Sequence, residues 1–189
     1  RGVWWPALRA TRAADQEPLA GLVRLFLLGS DEPGDRVQWA LPTAGLDGLL
    51  SHGVVEATGQ GTVRAVLDIR PHGDGARDFL VASDQDAAVR SGPVRRDHVL
   101  GIGGASVSLA RAVIRTPVTR ALDLGTGCGI QSLHLDAHCA EIVGTDTNER
   151  ALALAAATAR LNGMAWDLRP GSLFEPVAGE RFDLIVSNP

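Results

Sequence analysis

Leu122-Asp123-Leu124-Gly125-Thr126-Gly127-Cys128-Gly129 is a short apolar strand that runs into three glycines at alternate positions and then into a helical pattern over residues 129–138. Glycine lets the backbone take positive φ and approach a ligand closely, and the N-terminus of the following helix offers free N–H groups. Such a turn makes a cofactor cradle. A dinucleotide-binding turn of the form G-x-G-x-x-G needs its third glycine at position 130, where this chain has Ile130. The register therefore departs from that of NAD-binding proteins.

Asp123 points the same way. A carboxylate at the end of the first strand repels a pyrophosphate and attracts a ligand that carries positive charge, and the sulfonium of S-adenosylmethionine meets that requirement. Working outward, residues 141–145 read as a second strand ended by Asp146, residues 148–161 as a second helix capped by Asn162-Gly163, residues 165–169 as a third strand and residues 182–186 as a fourth. Strands alternating with helices predict a Rossmann-like parallel sheet with right-handed crossovers. Asp146 follows Asp123 by 23 residues and is placed to accept both hydroxyl hydrogens of an adenosine ribose. It can equally start the next helix, so its weight comes from its combination with the glycine turn.

Upstream, residues 105–115 carry a helical pattern stopped by Thr116-Pro117, preceded by a second glycine-rich approach, Gly101-Ile102-Gly103-Gly104. That approach reads either as an ordinary helix start or as a lid over the cofactor, with Ser106 or its backbone N–H groups near the methionine carboxylate. Earlier still, residues 18–28 and 41–50 read as helices. Residues 54–57 and 63–69 read as strands joined through Gly59-Gln60-Gly61. This order predicts a small winged-helix-like module. Interruptions at residues 71–75 and 90–93 mark linkers, giving an N-terminal accessory or substrate domain at 1–92 and a cofactor-binding domain at 93–189. The helix at 41–50 offers Asp47 and no Arg, so packing or substrate positioning is favoured over duplex DNA recognition.

Composition sets the outer limits. The chain has 189 residues, 45% hydrophobic and 21% charged, within the ordinary globular range. Disorder and fibrous repeats are excluded. A net charge of −4 is split evenly, with 11 basic and 13 acidic residues over 1–100 and 7 and 9 over 101–189. Neither half is an electrostatic magnet for nucleic acid. The most apolar early run, residues 22–28, is broken by Arg24 and falls short of the ~20 residues a bilayer crossing needs. Cys128 and Cys139 have no C-x-x-C spacing, which points to a reducing, cytoplasmic setting without a disulfide framework or zinc site. His134 and His138 share one helix face at metal-binding spacing, but no third ligand is recognisable, so no metal is expected.

Asp123 to Gly129, Asp146 and the terminal Asp183-Leu184-Ile185-Val186-Ser187-Asn188-Pro189 together resemble the class I S-adenosylmethionine-dependent methyltransferases, in the branch with an Asn-Pro-Pro-aromatic motif. The resemblance spans residues 99–189. It implies that Asp123, Gly125, Thr126, Gly127 and Gly129 hold the methionine part of S-adenosylmethionine and that Asp146 holds the ribose. Family members often place an acid after the third strand for the adenine amine; here Ser172 stands there, so the adenine contact is expected from Ser172, a backbone amide or Leu173. The chain ends before the second proline and the aromatic residue, and only four of the family's seven strands are legible. A longer parent protein is expected.

Asn188 and Pro189 carry the expected chemistry. The lone pair of a planar amide or exocyclic amine is delocalised, so the nitrogen must be oriented. The Asn188 side-chain oxygen and the Pro189 carbonyl can each accept one of its N–H groups. Asparagine occurs only at 148, 162 and 188, and the first two have helix-cap explanations. The resemblance implies a protein glutamine amide, or an exocyclic base amine in ribosomal RNA or DNA, as methyl acceptor. A small-molecule acceptor, a non-catalytic cofactor- or partner-binding module, and nicotinamide-linked redox chemistry stand as alternatives.

Overall fold

The computed structural model describes residues 4–87, 89 and 93–188. Pro189 and residues 90–92 of the expected linker lie outside the described residues. Two compact units are present, one of Arg1–Asp68 with Asp84–Val94 and one of Ile69–Ser83 with Arg95–Pro189.

In the first unit, α1 (Trp5–Ala13) precedes α2 (Pro18–Leu22), which runs into a π-helical turn at Val23–Leu27. There follow β1 (Glu32–Pro33), α3 (Gly34–Ala40), α4 (Leu46–Ser51), β2 (Val55–Gly59) and β3 (Thr62–Ala65). The strands form an antiparallel sheet in the order β1-β3-β2, with Val55 opposite Ala65 and Ala57 opposite Val63. Leu25, Val37, Leu49, Val55, Val63 and Ala65 fill its core. Helix, strand, two helices and a hairpin follow each other as in a winged helix. At the edge of the core, the buried Arg24 forks onto Glu32 at 2.7 and 2.8 Å and also donates to Asp15 and to the Thr11 carbonyl.

Local chemistry explains three departures from the sequence pattern. The helix expected at 41–50 begins only at Leu46, because Gly45 sits at φ 68° and the Gln38 side-chain oxygen accepts the Leu46 N–H at 2.7 Å. The residues before it form α3, which the sequence pattern hides because Val37 is its one buried large apolar side chain. The run 63–69 breaks at Val66, whose N–H bonds the Val54 carbonyl; beyond it β4 (Leu67–Gly73) pairs with β5 (Asp78–Asp84). Pro71 to Gly75 is therefore the end of a hairpin strand and its turn, with Asp74 accepting from the N–H groups of Ala76 and Arg77.

The second unit holds a four-stranded, wholly parallel sheet in the order β8-β7-β6-β9. Its strands are β6 (Val118–Leu124), β7 (Cys139–Asp146), β8 (Asp167–Pro170) and β9 (Leu184–Ser187), and its helices are α5 (Gly104–Ala112), α6 (Ile130–Leu135) and α7 (Glu149–Leu161). Successive side chains of a strand face opposite ways: Ala121 packs with Leu135, Ile142 and Val186, and Leu122 with Val143 and Val177. Asn148 caps α7 by accepting the Arg150 N–H. Most of the β4–β5 hairpin belongs to this unit. Asn162 accepts the Leu80 N–H at 2.9 Å and donates to the Leu80 carbonyl at 2.7 Å, and Thr158 accepts the Ala82 N–H at 3.1 Å. Asn162 thus continues the hairpin edge as a strand would, beyond its expected role as a cap.

His72 on β4 and His134 on α6 meet Nε2 to Nε2 at 2.8 Å, with Phe79 edge-on to His134. Desolvation, and then the neighbouring His72 and Arg115, push the His134 imidazole down to about 4. The unfolded chain therefore binds the extra proton first as pH falls. The stability from this group is complete above the ordinary histidine value and is lost between pH 6.5 and 4. The melting temperature should fall by roughly 5 °C over that interval, and the slope should be flatter in His134→Leu; equal slopes by calorimetry would count against the pair.

Candidate active site at the carboxyl ends of the parallel strands

The strand order reverses direction between β6 and β9, since β6, β7 and β8 step one way and β9 lies on the other side. Ligands of open parallel sheets bind at such a point, outside the carboxyl ends of the strands. Register brings the ends together: Leu124 lies beside Thr145 and Ser187, and Asp146 beside Pro170. The glycine turn, Asp146, the Ser172 loop and Asn188 all leave the sheet at this edge.

The turn is built on Asp123. Its side chain faces α6 and is completely buried, with Oδ2 accepting from Thr126 Oγ1 at 2.8 Å, Ser132 Oγ at 2.8 Å and the Ser132 N–H at 3.1 Å. Oδ1 is also buried and has no hydrogen-bond partner. Desolvation holds this carboxyl above the usual range, against the opposite pull of the Ser132 and Thr126 hydrogen bonds. The structure thereby gives Asp123 a different role from the expected ligand contact: it ties the β6 end to α6 from beneath. Thr126 is turned inward with it, leaving only its backbone for a ligand.

Gly125, Gly127 and Gly129 adopt φ of 74°, 56° and 83°, which side-chain-bearing residues enter only at a cost. A Cβ at Gly129 would lie 2.6 Å from Trp166, so glycine is required there for packing, whereas a Cβ at Gly127 would meet nothing within 4 Å. Gly127 is the part of the turn that faces open space. Cys128 is buried and its thiol is pushed up to about 11 by desolvation, which makes it an inert turn residue.

Asp146 is half-buried and joins the two halves of the site. Oδ2 accepts the Gly127 N–H and Oδ1 the Asn148 N–H, both at 2.9 Å. Each oxygen keeps acceptor capacity for a further donor, so the paired carboxylate can take a diol beside the open face of Gly127. Beyond β8, Leu173 is 69% exposed with φ 49°, and Phe174 is exposed next to it. A bulky side chain held in the left-handed region is a strained arrangement of the kind found at ligand sites. Ser172 lies in the same loop, and its carbonyl accepts the Glu175 N–H.

Asn188 follows β9 directly. Ser187 Oγ donates to the Leu124 carbonyl at 2.9 Å, fastening the residue before Asn188 to the strand that feeds the glycine turn. The Asn188 side-chain amide donates to Ser106 Oγ at 3.2 Å. The segment between Asp97 and Ser106 is fixed at both ends to the site, because the Asp97 carbonyl accepts from the Asn148 side chain at 3.0 Å. Sequence had no means of finding the Ser106–Asn188 contact, which joins residues 82 apart. Among the described residues, no group of three or more His, Cys, Asp or Glu could hold a metal ion, and no helix is long and apolar enough to cross a membrane.

The fold and this site define a Rossmann-like cofactor domain of the methyltransferase type. Residues 102–189 match the family model described as methyltransferase small domain, and residues 1–66 match that of a domain of unknown function. Over 86 residues the chain is 42% identical to a release factor glutamine methyltransferase of Geobacter sulfurreducens, covering 44% of this chain and 30% of that protein. Over 76 residues it is 45% identical to a ribosomal protein uL3 glutamine methyltransferase of Xanthomonas campestris pv. campestris, covering 38% and 24%. The solved T. thermophilus 16S rRNA N2 G1207 methyltransferase, in complex with AdoMet and guanosine, superposes with a TM-score of 0.52 at 20% identity, covering 82% of this chain and 43% of that one. The chain spans less than a third of the length of these two glutamine methyltransferases. Residues 102–189 belong to the class I S-adenosylmethionine-dependent methyltransferases.

If Asp123 is a scaffold, removing its acceptor should matter more than removing its charge. Asp123→Ala leaves three buried donors unsatisfied and should cost at least ~3 kcal/mol. Asp123→Asn keeps an acceptor oxygen and should melt much closer to wild type. Calorimetric scans of the two variants decide it, and equal losses would contradict the scaffold role.

Proposed function

We propose that the whole protein is an S-adenosylmethionine-dependent N-methyltransferase acting on a planar nitrogen, and that the nitrogen is a protein glutamine amide. One observation carries this reading: Asn188 leaves the sheet beside the same strand end that feeds the glycine turn, with Asp146 on the adjoining strand. A nitrogen-orienting amide and a cofactor cradle thus share one edge of the sheet. The glutamine acceptor is supported by two relatives, at 42% and 45% identity over parts of the chain, that carry glutamine methyltransferase names. A net charge of −4 gives no basic footprint for RNA or DNA. In this reading the unit of Arg1–Asp68 with Asp84–Val94 is the accessory or substrate-positioning part, and the unit of Ile69–Ser83 with Arg95–Pro189 is the cofactor part, in place of the division at 92/93 expected from sequence. A cytoplasmic, reducing setting fits its two free cysteines.

The chemistry of the donor set fits S-adenosylmethionine. The open face at Gly127 admits the methionine portion, the Asp146 carboxylate accepts the two ribose hydroxyls, and the exposed Leu173 offers an apolar face to the adenine beside Ser172. When bound, this cofactor supplies an activated methyl group on a sulfonium. The chain itself then has to position the acceptor. Asn188 Oδ1 accepts one N–H of the amide and the Pro189 carbonyl the other, aiming the nitrogen lone pair and stabilising the positive charge that develops on it. The nitrogen lone pair would form the new C–N bond as the bond from the methyl carbon to sulfur breaks, its electron pair staying on sulfur; S-adenosylhomocysteine would be the leaving group and the proton of the methylated nitrogen would go to solvent.

Calorimetry on the whole protein should show S-adenosylhomocysteine binding and no NAD binding; the reverse would overturn the cofactor assignment. Asp146→Ala should weaken S-adenosylhomocysteine binding by about tenfold or more. Asn188→Ala should lower turnover far more than cofactor affinity, and equal losses in both would remove the orienting role. Labelled cofactor added to cell extract identifies the acceptor: label is expected in protein at glutamine, and label confined to RNA, DNA or small molecules would replace that substrate class.

A further inference from the structure

The Asn188 side chain is a planar amide with an oxygen on one side and an NH2 group on the other, and only the oxygen can accept an N–H from an acceptor nitrogen. Rotating the side chain by half a turn exchanges the two. A reversed Asn188 would confront the incoming N–H groups with its own, so something outside Asn188 must fix its orientation. The described structure has such a contact: Asn188 Nδ2 donates to Ser106 Oγ at 3.2 Å.

Ser106 is suited to this task by how it is held. It lies in the first turn of α5, is buried, and its backbone carbonyl accepts from the Gln131 side-chain NH2 on α6 at 2.9 Å. Gln131 is itself buried. Ser106 is therefore anchored to the helix that follows the glycine turn, while Asn188 is fastened through Ser187 to the strand that precedes it. The two partners are pinned to either side of the cofactor cradle, and their hydrogen bond occupies the NH2 side of Asn188.

We propose that Ser106 is the positioning residue for Asn188: its hydroxyl tethers the amide in place, and because that hydroxyl can accept from Nδ2, Oδ1 is left free to meet the N–H groups of the acceptor nitrogen, which select this face over the reversed one. This rests on the N-methyltransferase reading above and names a residue that acts through Asn188. Ser106 touches neither the methyl group nor the acceptor. Loss of its hydroxyl leaves the Asn188 amide untethered and lowers the fraction of bound acceptor in the reactive orientation, so it is felt in turnover.

The test is a kinetic cycle on the whole protein. Ser106→Ala should lower kcat about tenfold with S-adenosylhomocysteine affinity unchanged, and Ser106→Thr, which keeps the hydroxyl, should recover to within about threefold of wild type. In the Asn188→Ala background, Ser106→Ala should cost nothing further, because the group it orients is gone. Wild-type turnover in Ser106→Ala, a loss that adds fully to that of Asn188→Ala, or an equal loss of cofactor affinity would each overturn the assignment. NMR of the Asn188 side-chain NH2 separates this from failure of the reaction class. A wild-type protein that methylates no acceptor sinks the functional reading, and with it Ser106's part in turnover. Asn188 NH2 resonances that shift and exchange faster in Ser106→Ala would still uphold the orientation. Resonances left unmoved would overturn the orientation even in an active enzyme.

Discussion

Beneath the glycine turn, one carboxylate oxygen of Asp123 receives three hydrogen bonds, two from Ser132 and one from Thr126. These donors come from the turn and from the helix after it, so the bonds close the corner between β6 and α6 into a fixed bend. The arrangement is costly, since the group is fully buried and one of its oxygens has no partner, and a buried polar group is tolerated only where its hydrogen bonds offset desolvation. What it secures is the outward face of the turn. With Thr126 held inward, the backbone at Gly127 is left toward open space.

The remaining pieces of the site depend on that bend through the sheet. The Thr145 carbonyl accepts the N–H groups of both Gly125 and Thr126 at 2.9 Å, which sets β7 against the turn and brings Asp146 within reach of the Gly127 N–H. On the other side, β9 places Ser187 beside Leu124 and so delivers Asn188. No side chain here needs a strongly altered proton affinity. Methyl transfer from a sulfonium calls for orientation more than for acid or base, and the site consists of backbone turns, neutral amides and hydroxyls around one paired carboxylate.

The first unit follows a different economy. Its core of Leu25, Val37, Leu49, Val55, Val63 and Ala65 is small, and it buries a charged pair, Arg24 with Glu32, whose remaining donors go to Asp15 and Thr11. A buried ion pair adds little net stability, but losing one partner strands the other. Its effect is to fix how the π-helical turn meets β1. The surface of α4 carries Asp47 and no basic residue, so the order of a winged helix comes without the charge that duplex recognition demands.

Reading the chain alone determined the parallel sheet and which residues stand at the carboxyl ends of its strands, because both are local. Alternating apolar runs specify strands and helices, three glycines within five residues specify the turn, and Asp146 and Asn188 stand directly at strand ends. It did not reveal α3, whose amphipathic signal is a single buried valine, or β5, whose partner lies across a turn that resembled a linker. Nor did it tell a ligand contact from a support. Asp123 lies next to the glycine turn in sequence, yet strand alternation and the packing of α6 turn it inward. Ser106 reads from sequence as part of a helix start or of a lid over the cofactor, and only the fold brings residue 188 to its hydroxyl. Which side of a strand faces a helix, and which distant hydroxyl meets an amide, are set by the stacking of elements, and no pattern confined to neighbouring residues carries that information.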